Sequence, residues 1–249
     1  MTARRILSAL AIFGGFLLFW QGIVWLTGLP PFLLPGPRAV AEALVTHRLP
    51  LFRAGLRTLA EILAGFTLGA VAGSALAIAM AAFPGLARAL RPALLLSQVI
   101  PIFALAPILT LWLGYGMAPK IVVAALICFF PVASAFLDGL ERTPPACLDL
   151  ARTMGAPAWR QMARIRIPMA LPMLGSGLRL AAVYAPIGAV IGEWVGGSEG
   201  LGAVMIHANG RMRIDLTFAA LALVTAIALG FHALVSSVLS RLLRRWNQG

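Results

Sequence analysis

The sequence has few charged residues. Of its 249 residues, 11% are charged and 61% are hydrophobic, whereas soluble domains carry about 25% charged residues. This composition excludes an ordinary soluble domain, because so few charges could not cover its surface. Apolar runs of about 20 residues, long enough to cross a bilayer, recur along the chain instead. The sequence therefore predicts an all-α, polytopic membrane protein surrounded by lipid.

Acidic residues are especially scarce. The chain has 8 Asp and Glu against 20 Lys and Arg, which gives a formal net charge of +12. In a soluble protein this excess would suggest a nucleic-acid partner. Here the arginines cluster between hydrophobic runs, which is typical of the positive-inside rule for membrane proteins. We therefore expect no nucleic-acid binding.

The usual catalytic and metal-binding patterns are also missing. Cys128 lies in an apolar run and Cys147 in a polar segment, so we expect neither a disulfide nor a metal site. No GxxxxGK[ST], HExxH or GxSxG motif occurs, and the three histidines are scattered. We expect no cofactor and no enzymatic activity in this chain. An integral membrane enzyme and an ion-coupled secondary transporter are the less favoured alternatives, since the second would require inverted repeats and buried ionisable groups.

Six hydrophobic segments predict six transmembrane helices in a single domain, 1–249. The first is expected to be a retained span, because it is longer than the apolar region of a signal peptide. Gly65, Gly69 and Gly73 recur every four residues in the second segment and predict a helix-packing face. The predicted spans are 6–28, 58–82, 93–113, 119–139, 173–195 and 216–240.

The distribution of basic residues predicts that both termini are cytoplasmic. With the N-terminus inside, 12 Lys and Arg fall on the inner side and 7 on the outer side. The inner residues are Arg4, Arg5, Arg88, Arg91, Arg142, Arg152, Arg160, Arg164, Arg166, Arg241, Arg244 and Arg245. The outer residues are Arg38, Arg48, Arg53, Arg57, Lys120, Arg211 and Arg213.

One polar segment, 141–170, interrupts the apolar runs and is predicted to form a cytoplasmic helical hairpin. Thr143 is suited to the N-cap of a first helix, and Gly155 to the left-handed position that ends it. Pro157 then starts a second helix, which Pro168 ends. The residues alone leave two interpretations open: an ordinary loop whose arginines set the topology, or a docking element for a cytosolic partner.

The spacing of this hairpin resembles the EAA motif of ABC importer permeases, EAA-x3-G-x9-I-x-LP. Asp149-Leu150-Ala151 occupies the EAA position, Gly155 follows after three residues, and Ile165-Arg166-Ile167-Pro168 follows after nine more. Asp replaces Glu, Leu replaces the first Ala, and Ile replaces Leu. The resemblance implies that the hairpin couples the membrane helices to an ATPase, through Asp149, Ala151, Gly155, Ala156, Ile165 and Pro168.

The resemblance extends over most of the chain. Four stretches are similar to the branch of the family that contains taurine, alkanesulfonate, nitrate and thiamine-pyrimidine permeases. They are Phe32–Pro37, Thr58–Gly65, the third segment and Gly192-Glu193-Trp194. The resemblance implies a type I importer in the bacterial plasma (inner) membrane. The implied partners are cytosolic ABC ATPase subunits, a periplasmic or lipid-anchored solute-binding protein, and a second permease chain, most simply in a homodimer.

Three further side chains are candidates within the predicted spans. Tyr184 and Glu193, about two and a half helical turns apart, are expected to share a face of the fifth span and to line the translocation pathway. Glu193 could instead be an anchor that is hydrogen-bonded to the external loop. Glu61 is expected to form an ion pair with Arg57, four residues earlier.

The predicted external loop, 199–215, is the candidate contact for a binding protein, through His207, Asn209 and Arg211. Its sequence from His207 to Met212, followed by Asp215, resembles the thiamine-pyrimidine branch more than the sulfonate branch. The resemblance implies a hydroxymethylpyrimidine-like precursor as the solute, with alkanesulfonate, taurine or nitrate as alternatives.

Overall fold

The chain folds into helices of very different lengths. The computed structural model describes residues 2–197 and 199–246, and every regular element within them is helical, which confirms the predicted all-α class. The first six helices are α1 Thr2–Thr27, α2 Pro37–Thr46, α3 Arg48–Ala82, α4 Pro84–Val99, α5 Ile102–Leu113 and α6 Met117–Glu141. They are followed by α7 Pro145–Thr153, α8 Ala158–Gln161, a π-helical stretch Met162–Arg166, α9 Ile167–Gly196, α10 Leu201–Gly210 and α11 Ile214–Trp246.

Four helices in the described part of the chain are long and apolar enough to cross a membrane. They are Arg48–Ala82, Met117–Glu141, Ala158–Gly196 and Ile214–Leu243, and α4 with α5 forms a bent fifth candidate. The predicted first span coincides with α1, whose described apolar part, Gly14–Thr27, is shorter than these. The described residues thus support four or five spans, where the sequence predicted six. Four of the basic residues that were counted on the inner side have side chains outside the described part of the structure. They are Arg4, Arg5, Arg244 and Arg245.

The predicted third span is a broken helix. α4 and α5 meet at an angle of 100°. Ile100, between them, has extended backbone angles, φ −74° and ψ 118°, because the ring of Pro101 disfavours helical geometry in the residue before it. Pro101 also lacks the N–H that a continuous helix would require. The predicted segment 93–113 is therefore formed by parts of two helices that meet at a sharp bend.

Close packing of α3 and α9 against α6 forms the centre of the bundle. A Cβ atom on Gly69 would lie 2.5 Å from the carbonyl oxygen of Ala125, and one on Gly73 would lie 2.7 Å from that of Phe129. From α9, a Cβ on Gly192 would lie 2.7 Å from the Cα of Lys120 in α6. Only glycine allows this backbone approach, which confirms the predicted packing face of α3.

The hairpin differs from the prediction in its second arm. Pro168 does not end a separate helix, since Ala158–Gly196 is one continuous helical segment. The chain passes Pro168 through the π-helical stretch, where the N–H of Ile167 reaches the carbonyl of Met162, five residues back. The wider turn accommodates a proline that has no N–H and whose ring would collide with a carbonyl of a regular α-helix. The second arm of the hairpin and the fifth span therefore form one continuous helical segment, Ala158–Gly196, with a local π-helical irregularity.

Candidate functional site

The turn of the hairpin has the geometry that the sequence predicted. Gly155 adopts φ +75°, the left-handed conformation that favours glycine. The N–H of Gly155 bonds to the carbonyl of Arg152, and the N–H of Ala156 bonds to that of Ala151, both at 2.9 Å. These two bonds form a Schellman motif, which ends α7 sharply and directs the chain into α8.

The N-terminal end of the hairpin differs by one residue from the prediction. Pro144, not Thr143, is the N-cap residue of α7. Thr143 is buried, and its hydroxyl donates to the carbonyl of Leu140 near the end of α6, at 3.1 Å. Threonine oxygen can bond back to a preceding helical carbonyl as well as forward to an N–H, so sequence alone did not decide between the two.

The tip of the hairpin exposes large apolar side chains. Leu150, Met154 and Trp159 are 62%, 78% and 64% exposed. Asp149, at the acidic position of the motif, is exposed and bonds to Arg152 at 2.8 Å, whereas Ala151 is buried. Ile165 and Pro168 are half-buried where the second arm joins the bundle, and Gly155 lies open at the turn.

A second cluster of polar groups lies at the other end of α9, where the helix meets α10. Glu193 is fully buried. Its Oε1 accepts a hydrogen bond from the hydroxyl of Thr58 at 2.6 Å, and its Oε2 accepts one from the N–H of Gly202 at 2.5 Å. Thr58 in turn accepts a bond from the N–H of Leu201 at 2.9 Å. The start of α10 is thus fastened to α3 and α9.

A buried ion pair extends this cluster. Lys120 of α6, 3% exposed, places Nζ 3.0 Å from Oε1 of the fully buried Glu61 and donates to the carbonyl of Glu199 at 2.8 Å. Arg57 pairs instead with the Glu199 carboxylate, at 3.2 Å. The predicted Arg57–Glu61 pair was therefore wrong, because Glu61 faces α6 and not along its own helix surface.

The loop before α10 needs glycine for this arrangement. Gly200 has φ +111°, and a Cβ placed there would collide with the carboxylate of Glu193. A Cβ on Gly202 would lie 2.8 Å from Oε2 of the same residue. The glycines at 200 and 202 therefore let the end of the loop and the first turn of α10 approach a buried carboxylate closely.

Tyr184 and Glu193 do not share a face of α9. Tyr184 is 40% exposed and Glu193 is fully buried. Nine residues amount to two and a half helical turns, which places the two side chains on opposite sides. The shared-face prediction was wrong for this reason, and the bonding of Glu193 within the protomer favours its alternative role as an anchor of the loop.

The three residues predicted to contact a binding protein lie together on α10 and the turn that follows it. His207, Asn209 and Arg211 are all exposed. His207 also lines a cleft of about 550 Å³ together with Arg53 and Arg57 of α3. The start of the helix that carries His207 and Asn209 is bonded to the buried cluster through the N–H groups of Leu201 and Gly202.

The sequence did not predict that Thr58 and Lys120 belong to the buried cluster. Lys120 was counted only as an outer basic residue, although it stands near the start of an otherwise apolar helix. A lone ionisable residue in such a position signals a buried partner. The partner itself, 59 residues away in the chain, could not be identified by spacing.

Comparison with known proteins identifies the family of this chain. Residues 65–248 match the family described as binding-protein-dependent transport system inner membrane component. The chain belongs to this family. A probable ABC transporter permease protein of Haemophilus influenzae is 46% identical over 237 residues, which cover 95% of this chain and 97% of the relative.

Two other relatives of this permease carry names that include a solute. A riboflavin transport system permease protein of Chloroflexus aurantiacus is 39% identical, over 92% of this chain and 86% of its own length. A formylaminopyrimidine transport permease protein of Halalkalibacterium halodurans is 40% identical, over 69% of each chain.

The fold of the permease also has a counterpart among solved structures. A chain of the MetNI methionine ABC transporter in an inward-facing conformation aligns with a TM-score of 0.63 and 20% identity. The alignment covers 78% of this permease and 98% of that chain. The protein is thus the non-catalytic, multi-pass inner membrane component of an ABC importer, which works with an ATPase and a solute-binding protein.

Proposed function

We propose that the hairpin, 141–170, is the surface through which the ATPase drives this permease. The observation that carries the proposal is the left-handed turn at Gly155, flanked by the exposed apolar side chains of Leu150, Met154 and Trp159. An exposed apolar patch next to a tight turn with small residues suits a protein groove, since the backbone can approach closely and the apolar groups leave water on docking.

Each residue of the EAA-like motif has a proposed role in coupling. Gly155 and Ala156 form the turn that enters the ATPase, and Asp149 supplies an exposed acid next to it. The carbonyl of Ala151 accepts a hydrogen bond from the N–H of Ala156 at 2.9 Å, and this bond closes the turn. Ile165 and Pro168 lie where the second arm becomes the membrane helix.

Replacing Gly155 with valine tests this role. A β-branched residue at positive φ costs roughly 1–2 kcal/mol or more, so the turn should shift while the membrane helices remain intact. We expect loss of ATP-driven uptake with normal membrane insertion. Gly85→Val is the matched control, because a Cβ at Gly85 has no neighbour within 4 Å and its φ is not positive. Normal uptake and ATPase association in Gly155→Val would remove the docking proposal.

At the opposite end of α9, the exposed surface of α10 receives the solute-binding protein. His207, Asn209 and Arg211 provide polar contacts, and the cluster around Glu193 holds the helix that carries them. Docking at α10 would therefore act on α3, α6 and α9 together, because Thr58, Lys120 and Glu193 connect all three to the loop. Tyr184, exposed on α9, remains a candidate for the translocation pathway.

The functional unit contains two copies of this permease, in a homodimer. One hairpin per chain matches one ATPase subunit, so a pair of ATPase subunits requires two hairpins. Exclusive assembly with a different permease chain, measured by co-purification of differently tagged copies, would refute the homodimer.

The solute is a hydroxymethylpyrimidine-like precursor of thiamine. This assignment rests on the sequence of the α10 loop and on the relative named for formylaminopyrimidine transport. Riboflavin is a second candidate, because the relative named for it matches a larger part of the chain. Both compounds contain a pyrimidine ring, so a site for a planar nitrogen heterocycle would suit either.

Uptake into proteoliposomes that hold the permease, its ATPase and its binding protein distinguishes these solutes. We expect ATP-dependent entry of labelled hydroxymethylpyrimidine, with riboflavin measured in parallel. Entry of taurine, an alkanesulfonate or nitrate, with exclusion of both heterocycles, would overturn the assignment. The coupling role of the hairpin is unaffected by this result.

A further inference from the structure

Two helix ends meet the base of the hairpin at a single arginine. The Nε of Arg166 donates to the carbonyl of Leu140 at 3.2 Å, and its Nη1 donates to the carbonyl of Ala81 at 2.9 Å. Leu140 is the second-last residue of α6, and Ala81 is the second-last residue of α3. One guanidinium thus bridges the ends of two membrane helices.

These carbonyls are suitable acceptors for a cation. The last four carbonyls of a helix have no partner within the helix, and the helix dipole places partial negative charge there. Arg166 is partly buried, so its bonds are less weakened by water than those of a surface arginine. Its planar fork can point two N–H groups at separate acceptors, which a lysine cannot do with the same geometry.

Arg166 is also the last residue of the π-helical stretch, Met162–Arg166. This stretch joins the hairpin to α9 and is a local departure from regular helix. Short π-helical segments interrupt the regular bonding of a helix and occur often at functional sites. The arginine that bridges α3 and α6 therefore extends from the irregular part of the helical segment that joins the hairpin to α9.

We propose that Arg166 is a positioning residue that links the hairpin to α3 and α6, so that movement of the hairpin displaces α3, α6 and α9 together. This rests on the proposed docking of the hairpin to the ATPase. Without the bridge, the hairpin would still dock and α9 would still follow it directly. α3 and α6 would follow less completely, and ATP would be hydrolysed without completing transport.

The test measures ATP hydrolysed per solute imported, in proteoliposomes containing the permease, its ATPase and its binding protein. For Arg166→Gln we expect the ratio to rise about tenfold, since two charge-assisted hydrogen bonds are lost. Arg166→Lys keeps the charge and can reach one carbonyl, so it should restore the ratio in part. Arg88→Gln is the matched control, because Arg88 lies on α4 outside the hairpin, is exposed, and has no hydrogen bond or ion pair among the described residues.

Association of the ATPase is measured on the same samples to separate the two proposals. Normal association with a raised ratio in Arg166→Gln supports the link. Absence of ATPase binding to the hairpin in the wild-type permease would refute the docking proposal itself. An unchanged ratio in assembled Arg166→Gln overturns the role of Arg166. If Arg166→Gln does not assemble, Arg166→Lys decides: a raised ratio supports the link, and a wild-type ratio overturns it.

Discussion

Removing the carboxylate of Glu193 should release the start of α10 from the bundle. Glu193→Ala eliminates the acceptors of two bonds, from Thr58 at 2.6 Å and from the Gly202 N–H at 2.5 Å. Hydrogen bonds to a charged group contribute about 1.5–3 kcal/mol each. Part of this gain is offset in the native protein by the cost of burying the Glu193 carboxylate, which is fully inaccessible to solvent. We therefore expect the release of α10 to become easier by about 3 kcal/mol, or roughly a hundredfold in the opening equilibrium.

Hydrogen exchange of the backbone amides measures this opening directly. The amides at the start of α10, including those of Leu201 and Gly202, should exchange roughly a hundredfold faster in Glu193→Ala, while those in the centre of α6 keep their wild-type rates. Glu199→Gln is the control, because that carboxylate is 59% exposed and its ion pair with Arg57 should contribute less than about 1 kcal/mol. Wild-type exchange of α10 in Glu193→Ala would refute the anchoring role.

Two further predictions concern the packed centre of the bundle. Lys120→Met should lower the free energy of unfolding by about 3–5 kcal/mol, because it leaves Glu61 buried without its cation. The double variant with Glu61→Gln should recover part of that loss. Chemical unfolding in mixed micelles measures both variants, and equal stability of Lys120→Met and wild type would contradict the buried pair. Gly69→Ala should destabilise the fold by about 1–3 kcal/mol through contact with the α6 backbone. Gly230→Ala, whose Cβ would have no neighbour within 4 Å, should be neutral or stabilising by up to about 1 kcal/mol in the same titration; an equal loss in both glycine variants would contradict the packing argument.

The features that the sequence predicted correctly depend on local rules. The turn at Gly155 follows from a glycine placed where a helix must end, and the Schellman bonds need only neighbouring residues. The packing face of α3 follows from glycines every four residues, a period that the helix itself imposes. The turn and the packing face could therefore be predicted without knowledge of the neighbouring helices.

The features that it predicted incorrectly depend on neighbours or on a local exception. Glu61 has an arginine one turn away, but its partner is Lys120 on another helix, which no local pattern identifies. Pro168 has the signature of a helix end, but the π-helical stretch lets the helix continue through it. Tyr184 and Glu193 were assigned to one face although two and a half turns separate them, so periodicity itself contradicted that assignment.

The most direct test of the docking proposal uses the native cysteine of the hairpin. Cys147 is exposed on α7, whereas Cys128 is buried between membrane helices. A short bifunctional thiol-reactive linker added to the assembled importer should join the permease to its ATPase through Cys147, and Cys147→Ser should abolish the product. We expect a permease–ATPase conjugate. The ATPase used must carry a reactive cysteine at its permease-facing surface. Two results would contradict the docking proposal: a conjugate with the solute-binding protein in place of the ATPase, or no conjugate with this ATPase.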